Sequence, residues 1–263
     1  MRREGGQVRA AEAAEKEGLE IDEAVGDRQD QAFRLANLGE VARATGRYAQ
    51  ARDYLERALA LGAEVGDRDA EVLVTMQFAA LRLADGDAEG CDDLAGQARD
   101  LGVELGDPRV EAEALLLLGH AQLEGERDLS AARESYAAVL ALDVPVAHPV
   151  ARAGLAAVAA RAGDVAEARL QLDEVVPQLL ERDLPGVLDL PEVYARVVGV
   201  LRMIGDERLA AVLDVGRTLL REQADRFTDA DRRRSFLEDV RAHRELLEGA
   251  PAPVGEQVSP GTR

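Results

Sequence analysis

The sequence predicts an all-α fold of antiparallel helix pairs stacked in order along the chain, and three observations predict it. A short phrase returns at a fixed distance, "AVGDR" at 24–28, "EVGDR" at 64–68 and "ELGDP" at 104–108, 40 residues apart each time. A second mark, a Gly followed by a polar or charged residue, falls between them at Gly46, Gly86, Gly125, Gly163 and Gly205. Two marks per period imply two elements per period. The segments between the marks carry apolar and small residues at three- and four-residue steps, as in Ala32, Leu35, Ala36, Gly39 and Ala42, and no segment alternates for long with period two.

The elements follow in order. The stretch 8–25 reads as the second helix of an incomplete pair. Full pairs then span about 30–65, 69–105, 109–143, 149–181 and 191–222. In "GDR" and "GDP" the Gly suits the left-handed end of one helix, and Asp27, Asp67 or Asp107 suits the N-cap of the next. Pro108, Pro149 and Pro191 fit the first turn, where no backbone donor is lost. The two prolines of "ERDLPGVLDLP" at 181–191 mark a longer connection. A final helix is expected over 229–247, with Thr228 and Asp231 as a capping arrangement at its start. Residues 1–248 thus form one helical repeat domain. The Pro-, Gly- and Ser-bearing tail 249–263 is expected to be disordered.

The best copy holds Leu38, Gly39, Ala42, Gly46, Tyr48, Ala51, Leu55, Ala58 and Leu59. The fourth holds Leu155, Ala156, Ala159, Gly163, Val165, Ala168, Leu172 and Val175. This arrangement of small residues at helix crossings beside large ones resembles the tetratricopeptide (TPR) repeat, over about 8–220. The resemblance implies a right-handed TPR-like α-solenoid. The usual repeat of that family is about 34 residues. The longer repeat here resembles the C-terminal sensor arms of bacterial STAND-type ATPases and transcriptional regulators, as does "RRRSFLEDVRAHRELL" at 232–247. No GxxxxGK[ST] run occurs, so the chain resembles the arm without the motor, and its start within a helix pair suggests a detached domain or fragment.

Composition narrows function. A net charge of −19 argues against direct nucleic-acid binding, which draws on Lys and Arg. The single cysteine, Cys91, cannot form an intramolecular disulfide and fits a reducing compartment, so cytoplasm is expected. It sits where the repeat wants a small residue and reads as a packed thiol. No apolar run is long enough to span a membrane. His120, His148 and His243 are far apart in sequence, so neither a metal nor another cofactor is expected. No GxSxG elbow is present. Asp92, Asp93, Asp229 and Asp231 read as solvated surface or caps, and Arg232, Arg233 and Arg234 are expected to pair with Glu238 or Asp239.

In TPR arrays the first helix of each pair lines the concave surface. Carried over position by position, the resemblance implies a groove formed by Phe33, Glu40, Arg43, Met76, Leu83, His120, Leu123, Arg161, Arg202 and Met203. Met and Leu adapt to several partners, and the arginines can pair with carboxylates. The competing reading packs these apolar residues between helices or against the final helix. The functional expectation is a non-catalytic module binding a protein or peptide partner in that groove. The alternative is an effector-sensing arm of an ATPase or regulator, and an enzyme is the third option. Oligomeric state is left open.

Overall fold

In a computed structural model, residues 4–124, 128–187 and 189–248 are described, with side chains from Glu12 onward. Gly125 and the tail 249–263, both singled out above, lie outside them. The described chain contains no strand. It begins with α1 (Glu4–Val25), followed by the pairs α2 (Arg28–Ala44) and α3 (Tyr48–Val65), α4 (Arg68–Ala84) and α5 (Ala88–Leu105), and α6 (Pro108–Leu123) and α7 (Leu129–Ala141). After a 3-10 turn at Pro145–Ala147 come α8 (His148–Arg161) and α9 (Val165–Glu181), α10 (Leu190–Met203) and α11 (Leu209–Ala224), then α12 (Ala230–Glu238) and α13 (Arg241–Glu248).

The architecture is an all-α solenoid, and the repeated phrase sets its period: α2, α4, α6 and α8 start at Arg28, Arg68, Pro108 and His148. At each "GD" junction the glycine is left-handed, with φ of 76° at Gly26, 67° at Gly66 and 69° at Gly106. The aspartate after it accepts from the next helix's first turn: Asp27 from the Asp30 amide, Asp67 from those of Asp69 and Ala70, and Asp107 from that of Arg109. Small residues let the helices cross closely. A Cβ on Gly39 would fall 2.7 Å from the Leu55 side chain, and one on Gly154 2.4 Å from the Tyr136 ring.

The expected final helix over 229–247 is two helices. In one continuous helix Phe236 and His243 would stand about 10 Å apart along the axis. The break at Asp239 and Val240 instead brings their ring centroids to 4.3 Å and lets the His243 Nδ1 reach the Phe236 carbonyl at 2.6 Å. Both rings are buried. Arg244 donates to the carbonyl of Glu238, occupying an acceptor that the break leaves over. The cap is Asp229, which accepts from the Arg232 amide, rather than Thr228. The three arginines also find other partners than expected: Arg232 pairs with Glu12, Arg233 with Asp225 and Arg234 with Asp231.

Those partners show how the array ends. α12 returns to the first helices of the chain. The Arg232 guanidinium donates to Glu12 of α1 at 3.2 Å, and Tyr48 Oη donates to the Asp239 carbonyl at 3.4 Å. Gly46, with φ of 78°, lies so close that a Cβ would meet the Ser235 carbonyl at 2.7 Å. α13 packs against α10 and α11 with Leu246 buried, and Arg217 donates to the carbonyls of Leu246 and Leu247. The solenoid is thereby joined end to end across its inner side.

Candidate functional site

The first helices of all five pairs, α2, α4, α6, α8 and α10, surround a cavity of 590 Å³ on that inner side, with Val240, Arg241, Ala242 and Glu245 closing part of it. The 40-residue period brings equivalent positions to the same wall: Arg43, Leu83, Leu123 and Met203 each follow the preceding member by a multiple of the period, and all four line it. Apolar wall comes from Leu83, Leu116, Leu117, Val150, Val193 and Val200.

Of the ten groove positions expected from sequence, Glu40, Arg43, Leu83, His120, Leu123, Arg161 and Met203 line the cavity, and Phe33, Met76 and Arg202 do not. Met76 is 4% exposed and packs with Val72, Ala98 and Ala114, because α5 covers that face of α4. Phe33 lies half-buried nearly two turns before Glu40, short of the cavity. Arg202 is one step from Met203 on α10, which turns it about 100° away. Arg161 is already engaged with the Leu123 carbonyl. His120 is a wall residue held from behind: its Nδ1 shares a 2.6 Å hydrogen bond with Tyr136 Oη, and both side chains are buried. Burial drives the imidazole down to about 3, so it is neutral and not a proton carrier near pH 7.

The polar lining that sequence reasoning missed includes Gln77, Glu113, Asp189, Glu192 and Arg196. Glu113 was reachable in principle, since it stands 80 residues after Phe33 in the same repeat register. The others depend on helix stacking. Arg196 donates to Glu192 at 3.1 Å. Burial works against the Glu192 carboxylate, but its neighbours His120, Arg196 and Arg43 together outweigh it and hold the group below its ordinary range. Asp189 moves the other way, up to about 6, through burial and the neighbouring Glu192 charge. At the opposite wall burial raises Glu40, with Arg43 opposing. Glu113 is pushed up to about 7 by the surrounding protein and then by Glu40. The Glu113 side chain itself keeps contact with solvent, which screens part of that push.

Two buried polar atoms in this lining lack a hydrogen-bond partner: Gln77 Oε1, on a residue 4% exposed, and Arg43 Nε. Buried polar atoms are nearly always satisfied, and leaving one unmade costs about 1–3 kcal/mol. Nucleophilic chemistry has little to draw on here. Cys91 lies outside the lining, buried with Sγ 3.8 Å from the Leu117 carbonyl, and burial pushes its thiol up to about 12. No Ser, Thr, Cys or Lys is among the lining residues. Among the described residues no three His, Cys, Asp or Glu side chains converge as metal ligands, and no helix is long and apolar enough to cross a membrane.

No family model and no curated protein matches the sequence. The fold does match solved structures. A Rap protein complexed with Competence and Sporulation Factor is similar over 92% of this chain and 70% of its own, with a TM-score of 0.63 and 17% identity. BtubC (BKLC) from P. vanneervenii is similar over 84% of this chain and 94% of its own, with a TM-score of 0.58 and 16% identity. At such identities the likeness is one of fold, a helical repeat of TPR-like type.

Proposed function

We propose that residues 1–248 act as one non-catalytic binding module, in the cytoplasm, that takes a peptide or a peptide segment of a partner protein into the cavity enclosed by the five pairs. The observation that carries this reading is the combination of apolar walls with the orphaned Gln77 Oε1 and Arg43 Nε. One is an acceptor and the other a donor, as the amide and carbonyl of a peptide backbone require. A volume of 590 Å³ lies within the roughly 300–1,000 Å³ of small-ligand pockets, so it suits a few residues of chain rather than a folded domain. The fold also supports it: one of the similar structures is a complex with a named factor. A second reading, the sensing arm of an ATPase or regulator, draws on the same enclosure and on the contact of α13 with it, through which an effector could be felt elsewhere.

Gly199 supplies the test. It lines the cavity from α10, and a Cβ there meets nothing within 4 Å. Gly199→Phe should therefore fill the cavity while favouring the helix. Selection from a displayed random heptapeptide library should enrich specific sequences on the wild-type protein and none on Gly199→Phe, whose thermal unfolding midpoint should be unchanged or higher. Absence of enrichment on wild type, or equal enrichment on both, would overturn the proposal.

A further inference from the structure

Resting on that reading, we propose that the cavity selects a peptide bearing a lysine or arginine side chain, whose cationic end sits between Glu40 of α2 and Glu113 of α6 with its backbone held by Gln77 and Arg43. The lining is acceptor-rich where it matters. Glu40 and Glu113 come from helices on either side of α4, line the same cavity, and lie near enough that Glu113 feels the Glu40 charge, yet among the described residues neither takes part in an ion pair or hydrogen bond. Of the other charged groups facing the cavity, Asp189 forms no ion pair among the described residues and adds to the negative lining, while the four arginines besides Arg43 are already engaged. Arg196 is held by Glu192, Arg241 by Glu124 and Glu245, Arg161 by the Leu123 carbonyl, and Arg109 by Asp107.

Arg43 is the cation whose charge acts on both Glu40 and Glu113, and it pairs with neither within 4 Å. Its Nε is instead buried without an acceptor. Gln77, on the intervening helix α4 and more than nine-tenths buried, presents an Oε1 without a donor. The site therefore lacks positive charge, one N–H and one carbonyl oxygen. A peptide residue with a cationic side chain brings all three together; a bare metal ion brings one, and an acidic peptide would set like charge against Glu40 and Glu113. The apolar wall at Leu83, Leu116 and Leu117 accommodates the methylene stem of such a side chain, as long cationic residues require. The net charge of −19 draws cationic peptides toward the molecule and raises their encounter rate.

The composition of the selected peptides decides the matter. On wild type, the enriched heptapeptides should carry Arg or Lys at one recurring position, and a synthetic peptide from that pool should bind at least tenfold more tightly than its copy with Gln there. Glu40→Gln and Glu113→Gln, both shape-conserving, should each remove most of that tenfold preference while leaving the affinity for the Gln copy within twofold. Gly199→Phe keeps the acidic exterior, so cationic peptides recovered on it as strongly as on wild type would show surface attraction and overturn the inference. Enrichment without Arg or Lys, or an unchanged preference in both glutamine variants, would overturn it while the peptide-binding function stood. No enrichment of any kind would bring down both.

Discussion

The two ends of the solenoid are built from the same repeat but are not held in the same way. From α6 to α13 the buried apolar residues other than Ala114 form one contiguous cluster that also reaches back to Ala79, Cys91 and Ala95, with the rings of Tyr136 and Tyr194 filling space that the small crossing residues leave open. From α1 to α5 the buried apolar residues fall mainly into three small groups, around Leu38, Leu55 and Met76. Ion pairs bind this end: Arg34 reaches Glu15 and Asp22, and Glu12, buried, takes Lys16, Arg47 and Arg232 at once. A continuous core couples its helices into one cooperative unit, whereas small clusters joined by charges can open separately. The cavity lies across both, with one looser wall from α2 and α4 and one firm wall from α8 and α10.

The sharpest way to break that comparison is a matched pair of truncations. Leu172→Ala, in the large cluster, should cost about 2–5 kcal/mol and lower hydrogen-exchange protection throughout α6–α11. Leu38→Ala deletes the same side chain from an equally buried site and should lower protection mainly in α1–α5. Equal spread of the two effects would show that the array unfolds as a single unit.

Acid should separate the ends next. Burial drives His243 down to about 4 and His120 to about 3. The unfolded chain takes up these protons near 6.5 and the folded chain only well below, so the contribution of the neutral rings is complete above pH 6.5 and is lost as the pH falls toward 4. For His243 alone the loss is on the order of 3 kcal/mol. In urea titrations across this range His243→Asn should flatten the slope. At the other end, burial alone would raise Glu12, but Lys16 and Arg47 outweigh it and hold it below 4.5. Its contribution is present above pH 4.5 and is lost only below, so the His243 loss precedes the Glu12 loss on acidification, while protonation of the raised Asp189 and Glu113 in the folded state works against the histidine loss.

Closure of the ring is a smaller effect. Glu12→Gln should cost about 2 kcal/mol by leaving Arg47 and Arg232 without a charged partner, and exchange should rise in α1 and α12 together. If only α1 responds, the two ends are not joined through this residue. The smallest change runs the other way: Gly96→Ala, inside α5 where a Cβ meets nothing within 4 Å, should stabilise the weak end by about 0.5–1 kcal/mol, read as a shift in the urea midpoint.

Much of the helical framework is legible in the sequence. The 40-residue phrase locates the helix starts because a left-handed glycine and a capping aspartate act within a few residues of each other. The same period places Arg43, Leu83, Leu123 and Met203 on one wall, since equivalent positions in a regular stack face the same way. Met76 shows the limit: it has the right register but is covered by its neighbours, and only packing reveals that.

Helix, turn, cap and repeat are therefore written locally, each set by residues near one another along the chain. Folding alone settles that the stack closes on itself through Arg232 and Glu12, that the last helix breaks so Phe236 can meet His243, and that Gln77, Arg43, Glu40 and Glu113 share one enclosure. Those contacts join residues far apart in sequence, and whether a charge or an amide is satisfied depends on what the whole fold brings beside it.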